Sequence, residues 1–171
     1  VPLADLVTFV EDNTGQATQK FSAVNNDTDV DGSTPVLKAF TDVTKTYGSF
    51  AKTSSENDIQ YTLNSSLAVV QALAKSETVS ETASYSITDN QGGTATTGKG
   101  TAKIQGVNDK PSAVDFKGSF KEGSGSSSQT FDAMGSASDV DSDVTASNKN
   151  DKLTITLGST ATSHGTFALT T

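Results

Sequence analysis

An internal repeat constrains this chain more than any single motif does, because a repeated unit has to reach the same fold twice. Phe9-Val10-Glu11 returns as Phe120-Lys121-Glu122 at an offset of 111, and Phe21 returns as Phe131 at 110. Asp29-Val30-Asp31 matches Asp139-Val140-Asp141 at 110, and Gly48-Ser49-Phe50 matches Gly165-Thr166-Phe167 at 117. The seven added residues fall in the polar stretch around Ser142 to Asn150. Residue 171 is equivalent to residue 54, so the sequence carries one whole copy and the opening half of another. The expected organisation is a complete repeat over residues 1–109, a linker over 110–113 and half a repeat over 114–171. Half a sandwich cannot cover its own core. Either later chain supplies the remainder, another copy completes it, or the half is a truncation.

Local patterning points to strands. Hydrophobic residues make up only 33% of the chain, while the abundant Thr favours strands and Gly, Asn, Asp and Ser favour turns. Ile59, Tyr61 and Leu63 alternate at period two, as do Ala83, Tyr85 and Ile87, and then Ala102 and Ile104. Ser65 to Ala74 has the apolar spacing of a short helical turn that crosses between sheets. Asp89-Asn90-Gln91-Gly92-Gly93 reads as a turn, and the polar run Thr94 to Lys103 as a long edge hairpin strand. In the second copy Leu153, Ile155 and Leu157 suggest one strand, and Phe167 and Leu169 another. About seven strands in about 110 residues indicate an all-β, immunoglobulin-like sandwich.

Charge narrows the partners. All twelve basic residues are lysines, set against twenty carboxylates for a net charge of −8. Nucleic acid is not an expected partner, since phosphate binding needs a basic stripe. Crowded carboxylates repel unless counter-ions relieve them, which favours divalent cations. No apolar run approaches the roughly 20 residues of a membrane span, so no membrane insertion is expected. There is no cysteine for a disulfide or a thiolate site. His164, the only histidine, sits where the repeat places a hairpin, with Tyr47 at the matching position. That favours a turn residue over a catalytic base. No nucleophile–base pair or phosphate loop can be assembled, so no enzyme is expected.

The acidic clusters carry the most chemistry. Asp27, Asp29 and Asp31 lie in Asn25-Asn26-Asp27-Thr28-Asp29-Val30-Asp31-Gly32; Asp29 and Asp31 recur as Asp139 and Asp141 in Ser138-Asp139-Val140-Asp141-Ser142-Asp143. Carboxylates at i, i+2 and i+4 converge on one side of a looped backbone and could begin a calcium shell of six to eight oxygens. The first cluster opens like an EF-hand, but the twelfth position is Lys38 where a bidentate Glu is required, which excludes that motif. A solvated turn is the ordinary reading of one such cluster, and recurrence in both copies argues against it. Gly106-Val107-Asn108-Asp109-Lys110-Pro111 reads as a linker in which Pro stiffens the exit.

Several segments together resemble the VCBS repeat, a bacterial cadherin-like module. They are Tyr47-Gly48-Ser49-Phe50, Tyr61-Thr62-Leu63-Asn64, Val70-Gln71-Ala72-Leu73, Glu77-Thr78, Ser84-Tyr85-Ser86-Ile87-Thr88-Asp89, Gly92-Gly93-Thr94-Ala95 and Val107-Asn108-Asp109. The resemblance implies a cadherin-like β-sandwich strung in tandem in very large RTX-type adhesins. These are exported by type I secretion and held at the bacterial cell surface for biofilm attachment. It further implies Ca2+ at domain junctions, held by Glu11, Asn108, Asp109, Asp139 and Asp141, with Glu77 as a contributor. Asp27, Asp29 and Asp31 would serve a junction with a preceding domain. Lys110 departs from the family's longer acidic linker and implies fewer ions. The implied role is a structural extender whose partners are neighbouring repeats, with host or surface glycans or proteins met through other domains. The alternative is a calcium-dependent carbohydrate- or protein-binding module. Aromatics at 6% and the absence of Trp weigh against it, because sugar rings stack on such side chains.

Overall fold

The computed structural model describes residues 1–92, 96–125, 127–141 and 153–170. Gly93, Thr94 and Ala95, the inserted stretch at Ser142 to Asn150 and Asp143 within it lie outside the described residues. The chain divides into two compact units, Val1–Asn108 and Asp109–Thr171.

The first unit is a β-sandwich of two four-stranded sheets. One sheet runs β1 (Asp5–Val10), β8 (Thr96–Gln105), β7 (Thr78–Thr88), β3 (Val36–Ala39). The other runs β2 (Thr18–Ser22), β6 (Asp58–Leu63), β5 (Gly48–Lys52), β4 (Val43–Thr44). Period-two patterning decides which side chains face inward. Ile59, Tyr61 and Leu63 from β6, Ala83, Tyr85 and Ile87 from β7, and Ala102 and Ile104 from β8 are all buried, as the alternation predicts. Val7 and Phe9 of β1 and Phe50 of β5 join them. The helical turn between Ser65 and Ala74 forms as α1 (Ala68–Gln71), which buries Val70.

Aromatic rings tie the two sheets together. Tyr61 lies 5.2 Å from Phe9 of the opposite sheet and 4.6 Å from Phe50 of its own, while Phe21 of β2 lies 6.5 Å from Tyr85 of the opposite sheet. Full burial of a phenylalanine, as at Phe9 and Phe50, is worth about 1.5–3 kcal/mol.

One strand sits elsewhere than expected. β8 is not at an edge: it lies between β7, with which it is antiparallel, and β1, with which it is parallel. Its polar sequence misleads because glycine provides much of its inner face. A Cβ on Gly98 would stand 2.3 Å from the Tyr85 ring, so the ring takes the space that a side chain would fill.

The second unit retains the repeat's local geometry without its sheets. Val1 and Thr28 exchange main-chain hydrogen bonds, and so do their counterparts Ser112 and Ser138. Gln19 Nε2 donates to the Thr8 carbonyl, as Gln129 Nε2 does to Ser119 at 2.9 Å. The hairpin bond from Lys45 N to Gly48 O, 2.7 Å, recurs from Thr162 N to Gly165 O, 2.8 Å. The pairing of Thr44 with Ser49 recurs as the bridge between Ala161 and Thr166. All these correspondences hold at the offsets of 110, 111 and 117. Yet the strands expected at Leu153, Ile155 and Leu157 and at Phe167 and Leu169 do not form. Among the described residues of this unit, ladder pairing is limited to the bridges Ser112–Ser138 and Ala161–Thr166. The reason is topological. In the first unit β1, β2, β3 and β5 all pair with β6, β7 or β8, and no strand ladder of that kind is present among the described residues of the second unit.

Candidate functional site

The Asp-x-Asp turn is built alike in both copies. Asp29 Oδ1 accepts the Asp31 N–H at 2.8 Å, and Asp139 Oδ1 accepts the Asp141 N–H at 3.1 Å. This is a side chain closing its own turn two residues on, which Asp does well because its carboxylate reaches the i+2 amide. The turns differ in what the last carboxylate meets. Asp141 Oδ2 accepts the Asp109 N–H at 2.6 Å, and Asp141 is only 2% exposed. Asp31 is exposed.

The other expected ligands are placed individually. Glu11 directly follows β1 and is buried; its N–H donates to Gln105 O at 2.9 Å and its Oε2 accepts the Val107 N–H at 3.0 Å. It thereby prolongs the pairing of β1 with β8 as far as the start of the linker segment. Asn108 is exposed and Asp109 half-buried. Glu77 immediately precedes β7, where its Oε2 accepts the Ala74 N–H at 3.0 Å and its own N–H donates to Ala74 O. Asp27 accepts the Leu3 N–H at 2.7 Å.

Within the second unit Asp109, Asp139 and Asp141 are thus linked through main-chain donors, whereas Glu77 is occupied in closing its own turn. Among the described residues no group of three or more His, Cys, Asp or Glu side chains is arranged to hold a metal ion. Calcium also takes backbone carbonyls, Asn oxygens and water, so this speaks only to a carboxylate-rich cage.

Two buried carboxylates escaped the sequence reading. Glu81 on β7 accepts the Tyr61 hydroxyl at 2.6 Å through Oε2 and the Tyr47 N–H at 3.0 Å through Oε1. Asp5 on β1 accepts the Tyr85 hydroxyl, which reaches across β8. Burial pushes the Asp5 carboxyl above its ordinary value, against the opposing effect of the Tyr85 hydrogen bond. Burial, then the adjoining carboxylate, raises both Tyr61 and Tyr85 above the ordinary phenol value. The signal was present in the register: Asp5 alternates with Val7 and Phe9, and Glu81 with Ala83 and Tyr85. His164 is exposed within the Thr162–Gly165 turn, in keeping with its reading as a turn residue.

No family model, curated protein or solved structure matches the chain.

Proposed function

We propose that this chain is a calcium-stabilised structural extender from a bacterial cell-surface adhesin, secreted by the type I route, and that it acts without catalysis. The observation that carries the reading is the Asp-x-Asp turn, folded alike in both copies and ending in a buried carboxylate at Asp141. Asp109, Asp139 and Asp141 would hold Ca2+ within the second unit. Asp27, Asp29 and Asp31 would serve the same role toward a preceding repeat.

Bound calcium would neutralise repelling carboxylates and tie segments of successive repeats to one point, stiffening a tandem rod whose partners are neighbouring repeats. Extracellular calcium suits weak sites with dissociation constants of about 10⁻⁴–10⁻³ M. Binding confined to the folded state would add about 2.7 kcal/mol when free calcium is a hundred times the dissociation constant.

Thermal unfolding in excess EDTA and in millimolar calcium tests the reading, with an Asp139→Ala/Asp141→Ala variant alongside. A calcium-dependent rise in Tm that the variant loses supports it. No response to calcium in the parent chain removes the metal from the proposal.

A further inference from the structure

The two edge strands of the first sheet, β1 and β3, are guarded differently. β3 carries a register shift between Leu37 and Ala39, with Lys38 exposed there, and its Leu37 N–H donates to Asn57 Oδ1 at 2.8 Å. Bulges and lysines are common ways of keeping an edge strand from pairing with another chain. β1 has neither: its outer face shows Leu6, 61% exposed, Thr8, and Val10, 37% exposed. The Glu11 N–H bonds to Gln105 O just past β1, so odd positions turn their main-chain groups toward β8 while Leu6, Thr8 and Val10 turn theirs away. One side chain stands in that open edge. Gln19 of β2 donates from Nε2 to the Thr8 carbonyl. Gln129 repeats the contact to the Ser119 carbonyl at 2.9 Å, although strands do not form among the described residues there, so sandwich packing is not what brings the amide to that carbonyl.

We propose that the β1 edge is a latent self-pairing surface, and that Gln19 keeps a second copy of this chain from adding its own β1 there. The edge is self-complementary. When two β1 strands pair antiparallel about Thr8, Thr8 meets Thr8 and Leu6 meets Val10, so the exposed apolar side chains cover one another. The hydrogen bonds of this register use the outward main-chain groups of Leu6, Thr8 and Val10, with Thr8 at the twofold axis. Gln19 occupies the carbonyl at that centre, and its amide stands where the partner strand would lie. One side chain thus blocks a pairing that would join two four-stranded sheets into one.

Repeated units meet at high local concentration, where pairing between the wrong strands is a characteristic misassembly. A guard at the uncharged edge answers that hazard. Asn57 is the lesser guard, since Lys38 and the register shift would still protect β3 without it. The inference does not rest on calcium.

The test uses Gln19→Met in the full chain, which keeps the length of the side chain and removes its N–H donor. Amide hydrogen exchange at Leu6, Thr8 and Val10 reads strand addition, and the Phe9 amide, turned toward β8, reports an intact first unit. Freeing two carbonyls per twofold pair should raise association by roughly 30-fold, so exchange at the three amides slows as protein concentration rises, with no such dependence in the parent chain. Gln19→Lys restores a donor and should behave as the parent does. Gln19→Ala also lacks the donor and is read in the same way, so a packing loss particular to methionine does not decide the result. Thr8→Cys gives a second reading, because the sequence has no other cysteine and paired Cα atoms about 5.5 Å apart are within disulfide reach. Under oxidised glutathione, covalent dimer should form several-fold faster in Gln19→Met/Thr8→Cys than in Thr8→Cys alone. Exchange unchanged from the parent with Phe9 still protected overturns the inference, as does equal slowing in Gln19→Lys. Slowing that is independent of concentration rules out a second copy as the occupant.

Discussion

Gly48-Ser49-Phe50 and Gly165-Thr166-Phe167 make the same hairpin, yet one is sealed in a core and the other stands in water. The difference separates what local sequence dictates from what long-range pairing dictates. Asx turns, hairpin bonds and glutamine-to-carbonyl contacts form in both copies because their partners lie within about thirty residues of one another. Burial in the first copy comes from pairing with β6, β7 and β8, and among the described residues no strand pairs with the second copy in that way. Apolar alternation is thus a permit for strand formation, and a facing strand is what turns it into one.

The largest effect that could break this comparison is at the paired phenylalanines. Phe50→Ala should destabilise the first unit by about 3–5 kcal/mol, the usual cost of emptying a buried aromatic site. Phe167→Ala should change stability by no more than about 0.5 kcal/mol, as at other surface positions. Urea unfolding monitored by near-ultraviolet circular dichroism distinguishes them. Similar losses would mean that the second unit has a core after all.

The paired glycines sharpen the point. A Cβ on Gly48 would stand 2.3 Å from the Thr62 carbonyl oxygen and 2.6 Å from the Tyr61 hydroxyl; one on Gly165 would meet nothing within 4 Å. Gly48→Ala should therefore cost about 1–3 kcal/mol as an overpacked site, while Gly165→Ala leaves the melting temperature nearly unchanged. The same glycine is obligatory in one copy and optional in the other, since Thr62 and Tyr61 lie on β6.

Tyr61→Phe should follow with a loss of about 1–3 kcal/mol, because it leaves the buried Glu81 Oε2 without its hydroxyl donor. A Tyr61→Phe/Glu81→Gln double variant that recovers much of this loss would locate the cost in the carboxylate and not in ring packing.

These contrasts mark how far the sequence could be read. The sandwich of the first unit followed from period-two alternation at Ile59, Tyr61 and Leu63 and at Ala83, Tyr85 and Ile87. The central place of β8 did not, because Gly98 fills its inner face by omission and a glycine has no polarity to alternate. The second copy's strands were read from Leu153, Ile155 and Leu157 by the same rule that succeeded earlier, but the rule says nothing about whether a partner strand exists. For the candidate site, spacing revealed the Asp-x-Asp turns but not which carboxylate would be buried. Asp31 and Asp141 are equivalent in sequence, yet Asp31 is exposed while Asp141 is buried and accepts the Asp109 N–H. Asp5 and Glu81 were passed over because a carboxylate at an inward position reads as an interruption of the strand, when here each one accepts a tyrosine hydroxyl.

The smallest expected effect also has the least usual sign. Burial raises the folded-state value for Asp5 above its ordinary 3.8, so between the two values the folded chain holds a proton that the unfolded chain has released. The stability that Asp5 contributes is complete below about pH 3.8 and is lost as pH rises through the raised value. Carboxylates whose ionised form is favoured on folding do the opposite, so the effect has to be isolated as a difference. Stability of the parent minus that of Asp5→Asn should fall as pH increases from below 4 toward neutrality, with unfolding measured in urea at each pH. A flat difference would mean that the Tyr85 hydrogen bond cancels the burial. Phe116 occupies this position in the second copy, so the slope belongs to the first unit alone, and Phe116→Asn should leave the pH profile unaltered.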